Sequence, residues 1–259
     1  FRMLRGYMDY GRFLQRHADA PENGASLGVA RPEAETILRS HRNGAVLAQS
    51  ATTELLDVYG LACAAGISAV TGDEAKAAAA KLGYPVILKA MVPNIAHRSD
   101  AGLVSRKIAN DVELQQEYAA LQAHARALSE NKYPISVDKF IAHDFEVILG
   151  VKYDPTFGPA ILCGLGGTFA EVLKDYALRL APLNRIDAED MLSSLKAFPI
   201  LQRGATQKGN PLVALGDALL RLSDLAVELT GKISAVDINP VGLSAGSSEI
   251  TVLDAKIHI

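Results

Sequence analysis

Residues 146–180 read EVILGVKYDPTFGPAILCGLGGTFAEVLKDYALRL. Apolar alternation and short apolar runs over Glu146–Tyr153, Ala160–Cys163 and Ala170–Leu180 predict strands. Polar residues inside such strands are informative, because a sheet face that buries apolar neighbours accepts a charge only at a cost unless a partner compensates it. With side chains alternating at a period of two, Glu146 and Lys152 fall on one side of their strand, and Glu171, Asp175 and Arg179 on one side of theirs. Gly164, Gly166 and Gly167 follow the apolar run AILC, where backbone N–H groups could approach a phosphate without Cβ interference. A glycine-rich turn without a ligand is the alternative, and the Lys-Ser/Thr ending of a Walker loop is absent.

Further strands are expected near Val137–Ile141, Ser234–Ile238 and Ile250–Ile257, with helices over Ala188–Leu195 and Pro211–Leu229. Ala235, Asp237 and Asn239 share one side. Glu171, Asp237 and Asn239, with strand-borne cations, suit Mg²⁺ and a triphosphate; structural ion pairing is the competing explanation. Towards the N-terminus a helix runs from Glu33 to a stop at Asn43 and Gly44, and another follows Thr52 or Thr53, with Leu55, Leu56 and Tyr59 inward and Gly60 closing it. A strand near Gly66–Val70 precedes the alanine-rich helix DEAKAAAAKLG, which Thr71–Asp73 can cap and Gly83 ends. Tyr84–Lys89 is an apolar strand, and Lys89 at its end could reach a phosphate or snorkel to solvent. Helices alternating with strands give an α/β class. Phe1–His17 reads as one amphipathic helix and residues 18–32 as a linker.

The chain has 259 residues, 49% of them hydrophobic, enough for one sizeable core or two lobes. Lys and Arg number 26 against 29 Asp and Glu, so a formal charge of −3 supplies no long-range field for nucleic acid or an anionic membrane. No apolar run reaches a membrane span and no signal peptide is recognisable. Cys63 and Cys163 match no metal or redox spacing and read as reduced thiols of a cytoplasmic protein. An opening at Phe1 rather than a methionine reads as a fragment, a processed product or one part of a longer polypeptide.

His97 lies in the loop VPNIAHRSDAGLV (92–104), where Arg98, Ser99 and Asp100 surround it with a cation, a hydroxyl and a carboxylate. An imidazole so placed can attack phosphorus, the carboxylate orienting one ring nitrogen and the cation attending the phosphate. A surface histidine without function has the same appearance. The other histidines lack comparable neighbours.

In combination these segments are specific. GYPVILKAMVPNIAHRSDAGLV (83–104) resembles the motif of NDP-forming acyl-CoA synthetases in which a lysine strand is followed by a proline loop and His-Lys/Arg-Ser/Thr-Asp. The stretch 150–183 resembles their central ATP-grasp segment, and DINPVGL (237–243) with VLDAKI (252–257) is similar to their closing motifs. The resemblance runs from about Leu47 to the end, while FRMLRGYMDYGRFLQ looks like the tail of the CoA-ligase domain that precedes ATP-grasp in fused members. In the loop, Leu103 stands where the family commonly has a second glycine.

The resemblance implies an α/β (α+β) ATP-grasp fold with two lobes enclosing a nucleotide cleft, preceded by a helical segment. Its parts would be a tail and linker over 1–32, an N-terminal lobe over 33–135 and a C-terminal lobe over 136–259. Lys89 would contact nucleotide phosphates, with Gly166 and Gly167 in the glycine-rich turn. Lys139, Phe140 and Ile141 would lie at the hinge near adenine, and Glu146 would reach the ribose. Lys152 and Arg179 would neutralise the β- and γ-phosphates, and Glu171, Asp237 and Asn239 would hold Mg²⁺. His97 matches the second phosphohistidine, which ferries phosphate between distant sites, with Asp100 beside it; Asp254 matches an aspartate of mainly structural role. The implied reaction joins a carboxylic acid, CoA and ATP into acyl-CoA, ADP and phosphate through a phosphohistidine. The partner would be a CoA-binding domain or subunit in an oligomeric cytoplasmic ligase. A stand-alone ATP-grasp carboxylate–amine ligase and a non-catalytic nucleotide-sensing domain of a fused protein are the alternatives.

Overall fold

The computed structural model describes residues 30–40, 46–92, 95, 98–99, 101–128, 133–167 and 174–259. The helix expected over Phe1–His17 and nearly all of the linker after it lie outside the described residues. In chain order the elements are α1 (Pro32–Ser40), α2 (Gln49–Val58), β1 (Gly66–Ala69), α3 (Gly72–Leu82), β2 (Val86–Ala90), α4 (Asp111–Leu128), β3 (Ile135–Lys139), β4 (Phe145–Asp154) and β5 (Gly158–Leu165). They continue as β6 (Tyr176–Leu180), α5 (Arg185–Ser194), α6 (Phe198–Gln202), α7 (Pro211–Glu228), β7 (Ala235–Leu243), β8 (Ile250–Val252) and β9 (Ala255–His258). The chain forms two compact units, one of residues 30–63 with His143–Ile259 and one of Ala64–Ala142.

The smaller unit is a three-stranded antiparallel sheet in the order β1-β3-β2. Ala69, Val86, Leu88, Ala90, Ile135 and Val137 bury one face of it against α3 and α4. Helix α3 begins as its sequence predicts: Thr71 Oγ1 accepts from Glu74 N at 3.2 Å, and the Glu74 carboxylate accepts from Val70 N at 2.8 Å. Gly83 closes it at φ +75°. Helix α4 has no counterpart in the sequence reading. Its stripe of Leu114, Tyr118, Leu121 and Ala125 is narrow among Gln, Glu and Ala, so the periodic signal is weak. The start signal is stronger, since Asn110 Oδ1 accepts from Glu113 N at 3.0 Å while Glu113 accepts from Ala109 N at 2.8 Å.

The larger unit carries a six-stranded antiparallel sheet in the order β6-β5-β4-β7-β8, with β9 also paired to β7. Its core joins Val147, Leu149, Val151, Ile161, Cys163, Val236 and Ile238 to Leu215, Leu219, Leu222 and Leu225 of α7. At roughly 1.5–3 kcal/mol per fully buried aliphatic side chain, this helix-to-sheet contact dominates the unit's stability. Cys163 sits within it, and burial pushes its thiol up to about 12. The stretch 250–257 is two strands, both paired with β7, and between them Leu253 N donates to Pro240 O at 2.9 Å and Asp254 O accepts from Asn239 N at 3.0 Å. No helix among the described residues is long and apolar enough to cross a membrane.

Residues 30–63 group with the larger unit, whereas the sequence places residues 33–135 in one lobe. The reason is burial: Ala34, Leu38, Ala51, Leu55, Leu56 and Leu61 enter the core that α7 completes. Helix α2 also starts at Gln49, ahead of Thr52, which is buried inside it. Tyr59 OH donates to Glu228 Oε2 at 2.9 Å, Arg31 Nε approaches the same oxygen at 3.6 Å, and the Arg31 guanidinium stands 4.4 Å from the Tyr59 ring centroid. Glu228 is 8% exposed, so its carboxylate depends on these donors. Tyr59→Phe is expected to cost about 1.5–3 kcal/mol, the worth of a hydrogen bond to a charged group. Urea unfolding at neutral pH measures it, and an unchanged midpoint would contradict the assignment.

Candidate functional site

In the larger sheet the core takes Val147, Leu149 and Val151 of β4, which leaves Glu146, Ile148, Gly150 and Lys152 for the face turned away from this unit's helices. On β7 the same parity puts Ala235, Asp237 and Asn239 there, with Val236 and Ile238 in the core. Glu146 opposes Gly242, Gly150 opposes Asp237 and Lys152 opposes Ala235. The register shifts between Val147 and Leu149, where Asn239 and Pro240 stand against the single residue Ile148. The polar groups therefore form an ordered row of Glu146, Asn239, Asp237 and Lys152. Its ends are six residues apart on β4, roughly 20 Å at about 3.3 Å per residue.

Two members of the row, Glu146 and Asp237, have surroundings that fit their place in it. Glu146 Oε1 lies 2.8 Å from His143 Nε2, both side chains being partly exposed. Gly166 N donates to Glu146 O at 2.8 Å, and a Cβ on Gly166 would meet that residue's backbone at 3.0–3.1 Å. Gly167 has φ +78°, and its Cβ would come within 3.3 Å of Glu146 Oε2. Both glycines are thus required by close approach to Glu146. Asp237 is exposed and faces Gly150, which presents no side chain to it.

Arg179 does not join this row. It opposes Ile161, which opposes Val151, so it belongs to the parity of the core face, and its Nη1 donates to Leu178 O at 2.8 Å. Leu180, not Arg179, shares the register row of Lys152 through Ala160. Asp175 is buried and accepts from Lys196 N at 2.7 Å and Ala197 N at 2.8 Å, bracing the turn before α6. Alternation within one strand shows which residues share a side, but only the register between strands shows which side it is.

In the smaller unit, Lys89 Nζ lies 2.7 Å from Asp138 Oδ2. Lys139 Nζ donates to Gly83 O at 2.8 Å and Tyr84 O at 3.3 Å, so this ammonium caps the carbonyls that follow α3. Phe140 N donates to Pro85 O at 3.1 Å, Lys107 Nζ stands 5.1 Å from the Phe140 ring centroid, and Ile141 follows just before the chain leaves the unit. His97, Asp100 and Glu171 lie outside the described residues. Beyond His97, Leu103 N donates to Arg98 O at 2.8 Å, Gly102 turns at φ +65°, and His124 Nε2 bonds Ala101 O at 2.8 Å. Leu103 is fully buried and fills the smaller unit's core.

Sequence reasoning missed His143, His124 and Asp138. His124 meets a partner that no short-range pattern marks, whereas His143 pairs with Glu146 three residues on. Asp138 had a signal, being a charge inside the apolar strand ISVDK.

Among the described residues no group of three or more His, Cys, Asp or Glu side chains could hold a metal ion. Asp237 and Asn239 are two oxygen donors at neighbouring positions of one face, which suits a Mg²⁺ ion that keeps several waters and takes few protein ligands.

The ATP-grasp domain model matches residues 38–259. The β subunit of ADP-forming acetate–CoA ligase II from Pyrococcus furiosus is 36% identical over 221 residues, covering 82% of this chain and 94% of the relative. This chain is an ATP-grasp domain of the ADP-forming acyl-CoA synthetase family. The ADP-forming acetate–CoA ligase I of Archaeoglobus fulgidus is 32% identical over 243 residues, which cover 93% of this chain and 35% of that longer protein. Among solved structures, an acetyl-CoA synthetase of Ca. Korarchaeum cryptofilum superposes with a TM-score of 0.71 at 28% identity, covering 87% of this chain and 99% of that one. That protein was captured with coenzyme A and Mg-AMPPCP, its phosphohistidine segment pointing towards the nucleotide binding site. The α/β ATP-grasp fold expected from the motifs is thereby established.

Gly167→Ala tests the local geometry. A side chain at φ +78° and 3.3 Å from Glu146 Oε2 is expected to destabilise the unit by about 1–2 kcal/mol. Thermal and urea unfolding check this, and an unaltered protein would contradict the tight turn.

Proposed function

We propose that this chain is the nucleotide-binding, phosphoryl-transferring part of an ADP-forming acyl-CoA synthetase, working with a CoA-binding domain or subunit. The observation that carries the reading is the row of Glu146, Asn239, Asp237 and Lys152 on one sheet face. Its order runs from an acid suited to ribose hydroxyls, through two oxygen donors, to an ammonium suited to terminal phosphates. Within the smaller unit, taken by itself, Lys89 is the candidate phosphate contact, and residues 139–141 offer only backbone groups to a base, since the Lys139 ammonium already serves Gly83 and Tyr84. Lys152 then carries the neutralising role assigned jointly to it and Arg179. Glu171 completes the metal set in this proposal.

Mg²⁺ held at Asp237 and Asn239 would neutralise charge on the transferring phosphoryl group. The chain's own part is positioning: His143 holds the Glu146 carboxylate, Gly150 leaves room at Asp237, and Lys152 attracts the terminal phosphate. His97 would take the γ-phosphoryl group: an N–P bond forms at the imidazole, the P–O bond to ADP breaks, and ADP leaves. Acyl and thioester chemistry would belong to the CoA-binding partner.

Two measurements test this. Asp237→Asn is expected to weaken binding of Mg-AMPPCP by about tenfold, or about 1.4 kcal/mol, by calorimetry; equal weakening without Mg²⁺ would remove Asp237 from the metal set. His97→Ala is expected to abolish acid-labile label from γ-³²P-ATP while nucleotide affinity stays within about threefold, under ~0.7 kcal/mol. Persistent label would place the phosphoryl acceptor elsewhere.

A further inference from the structure

The smaller unit holds a charge pair that the proposed function does not use in full. Lys89 and Asp138 meet at 2.7 Å with side chains only 11% and 12% exposed. Ser136 Oγ donates a hydrogen bond to Asp138 Oδ1. Strand pairing sets Lys89 opposite Ser136 and Gly66 opposite Asp138, so all three strands contribute. Gly66 has no freedom to be anything larger, since a Cβ there would stand 2.5 Å from Asp138 Oδ1. Four positions, Gly66, Lys89, Ser136 and Asp138, are thus committed to one ammonium and its counter-charge.

A buried ion pair is a poor way to stabilise a sheet, because desolvation offsets most of the attraction and apolar side chains of similar volume do as well or better. The same sheet shows the apolar solution at Leu88 and Val137 on its other face. The pair is therefore explained by what the ammonium does rather than by stability. We propose that Asp138 is a positioning residue that serves as the resident counter-charge of Lys89 and tunes how tightly nucleotide phosphate is held. The proposal rests on the reading that Lys89 contacts phosphate. Phosphate oxygens and the Asp138 carboxylate compete for one ammonium, and that competition keeps ADP releasable. Ser136 shares the carboxylate's charge and so weakens its hold on Lys89.

The signs of the effects separate this from a structural role. Asp138→Asn removes the competitor, so the full chain binds ADP about five- to tenfold more tightly, with slower ADP dissociation. Its free form melts at a lower temperature, yet ADP raises that temperature by more than it does for the parent. Ser136→Ala leaves the carboxylate wholly on Lys89, so ADP binds about twofold more weakly. Lys89→Met weakens ADP binding at least tenfold, and adding Asp138→Asn to it brings no further tightening.

Calorimetry with ADP on the four variants decides. If Lys89→Met binds ADP as the parent does, the phosphate reading of Lys89 is wrong. If Lys89→Met weakens binding but Asp138→Asn leaves it unchanged or weaker, Asp138 is structural and the proposal is overturned. Should Asp138→Asn fail to fold, Ser136→Ala carries the decision: weaker ADP binding supports the counter-charge role, and unchanged or tighter binding overturns it.

Discussion

Along β4 and β7 the residues that must be buried, Val147, Leu149, Val151, Val236 and Ile238, occupy every second position. A pleated strand then has no choice about where the others go. Each aliphatic side chain in that core contributes roughly 1.5–3 kcal/mol, far more than an exposed lysine or aspartate loses or gains by its placement. Packing against α7 therefore orients the sheet, and Glu146, Lys152, Asp237 and Asn239 are carried to the opposite face. A slip of one residue would drive Lys152 and Asp237 into the core, so register is defended by the whole apolar face. The bulge opposite Ile148 lets β7 absorb Asn239 and Pro240 without breaking that parity.

The two units use buried charge differently. Glu228 is bound by Tyr59 and Arg31, and this contact, with the apolar faces of α1 and α2, ties residues 30–63 to the larger unit. Asp138 is bound by Lys89 and Ser136 within one sheet, where no separate segment needs tying down. The first arrangement joins parts of the chain, and the second holds a cation ready. The same chemistry thus serves assembly in one unit and the proposed nucleotide affinity in the other.

Most strands were legible because their apolar runs are short and bounded by glycine, proline or charge, as at Val86–Ala90 and Phe145–Asp154. Helix α3 was legible from its cap and its closing glycine. Helix α4 was not, since an apolar stripe set among Gln, Glu and Ala has little contrast with its surroundings. In the candidate site, what was legible is the shared face within one strand: Asp237 with Asn239, and Glu146 with Lys152. Arg179 was misplaced because its side depends on pairing with Ile161, which no local pattern reveals. Asp138 was passed over for the same reason, its partner Lys89 lying on another strand, whereas His143 stands only three residues from Glu146. The membership of residues 30–63 in the larger unit is likewise a long-range fact.

In the proposed function, one face of the six-stranded sheet presents a nucleotide and its metal with an ordered set of groups. A crystal structure of the chain with Mn²⁺ and AMPPCP tests it most directly, because anomalous scattering locates the metal independently of the nucleotide. The expected result is a metal peak at coordination distance from side-chain oxygens of Asp237 and Asn239, with the ribose towards Glu146 and the terminal phosphate towards Lys152. A metal bound elsewhere, or a nucleotide running in the opposite sense along the row, would contradict it.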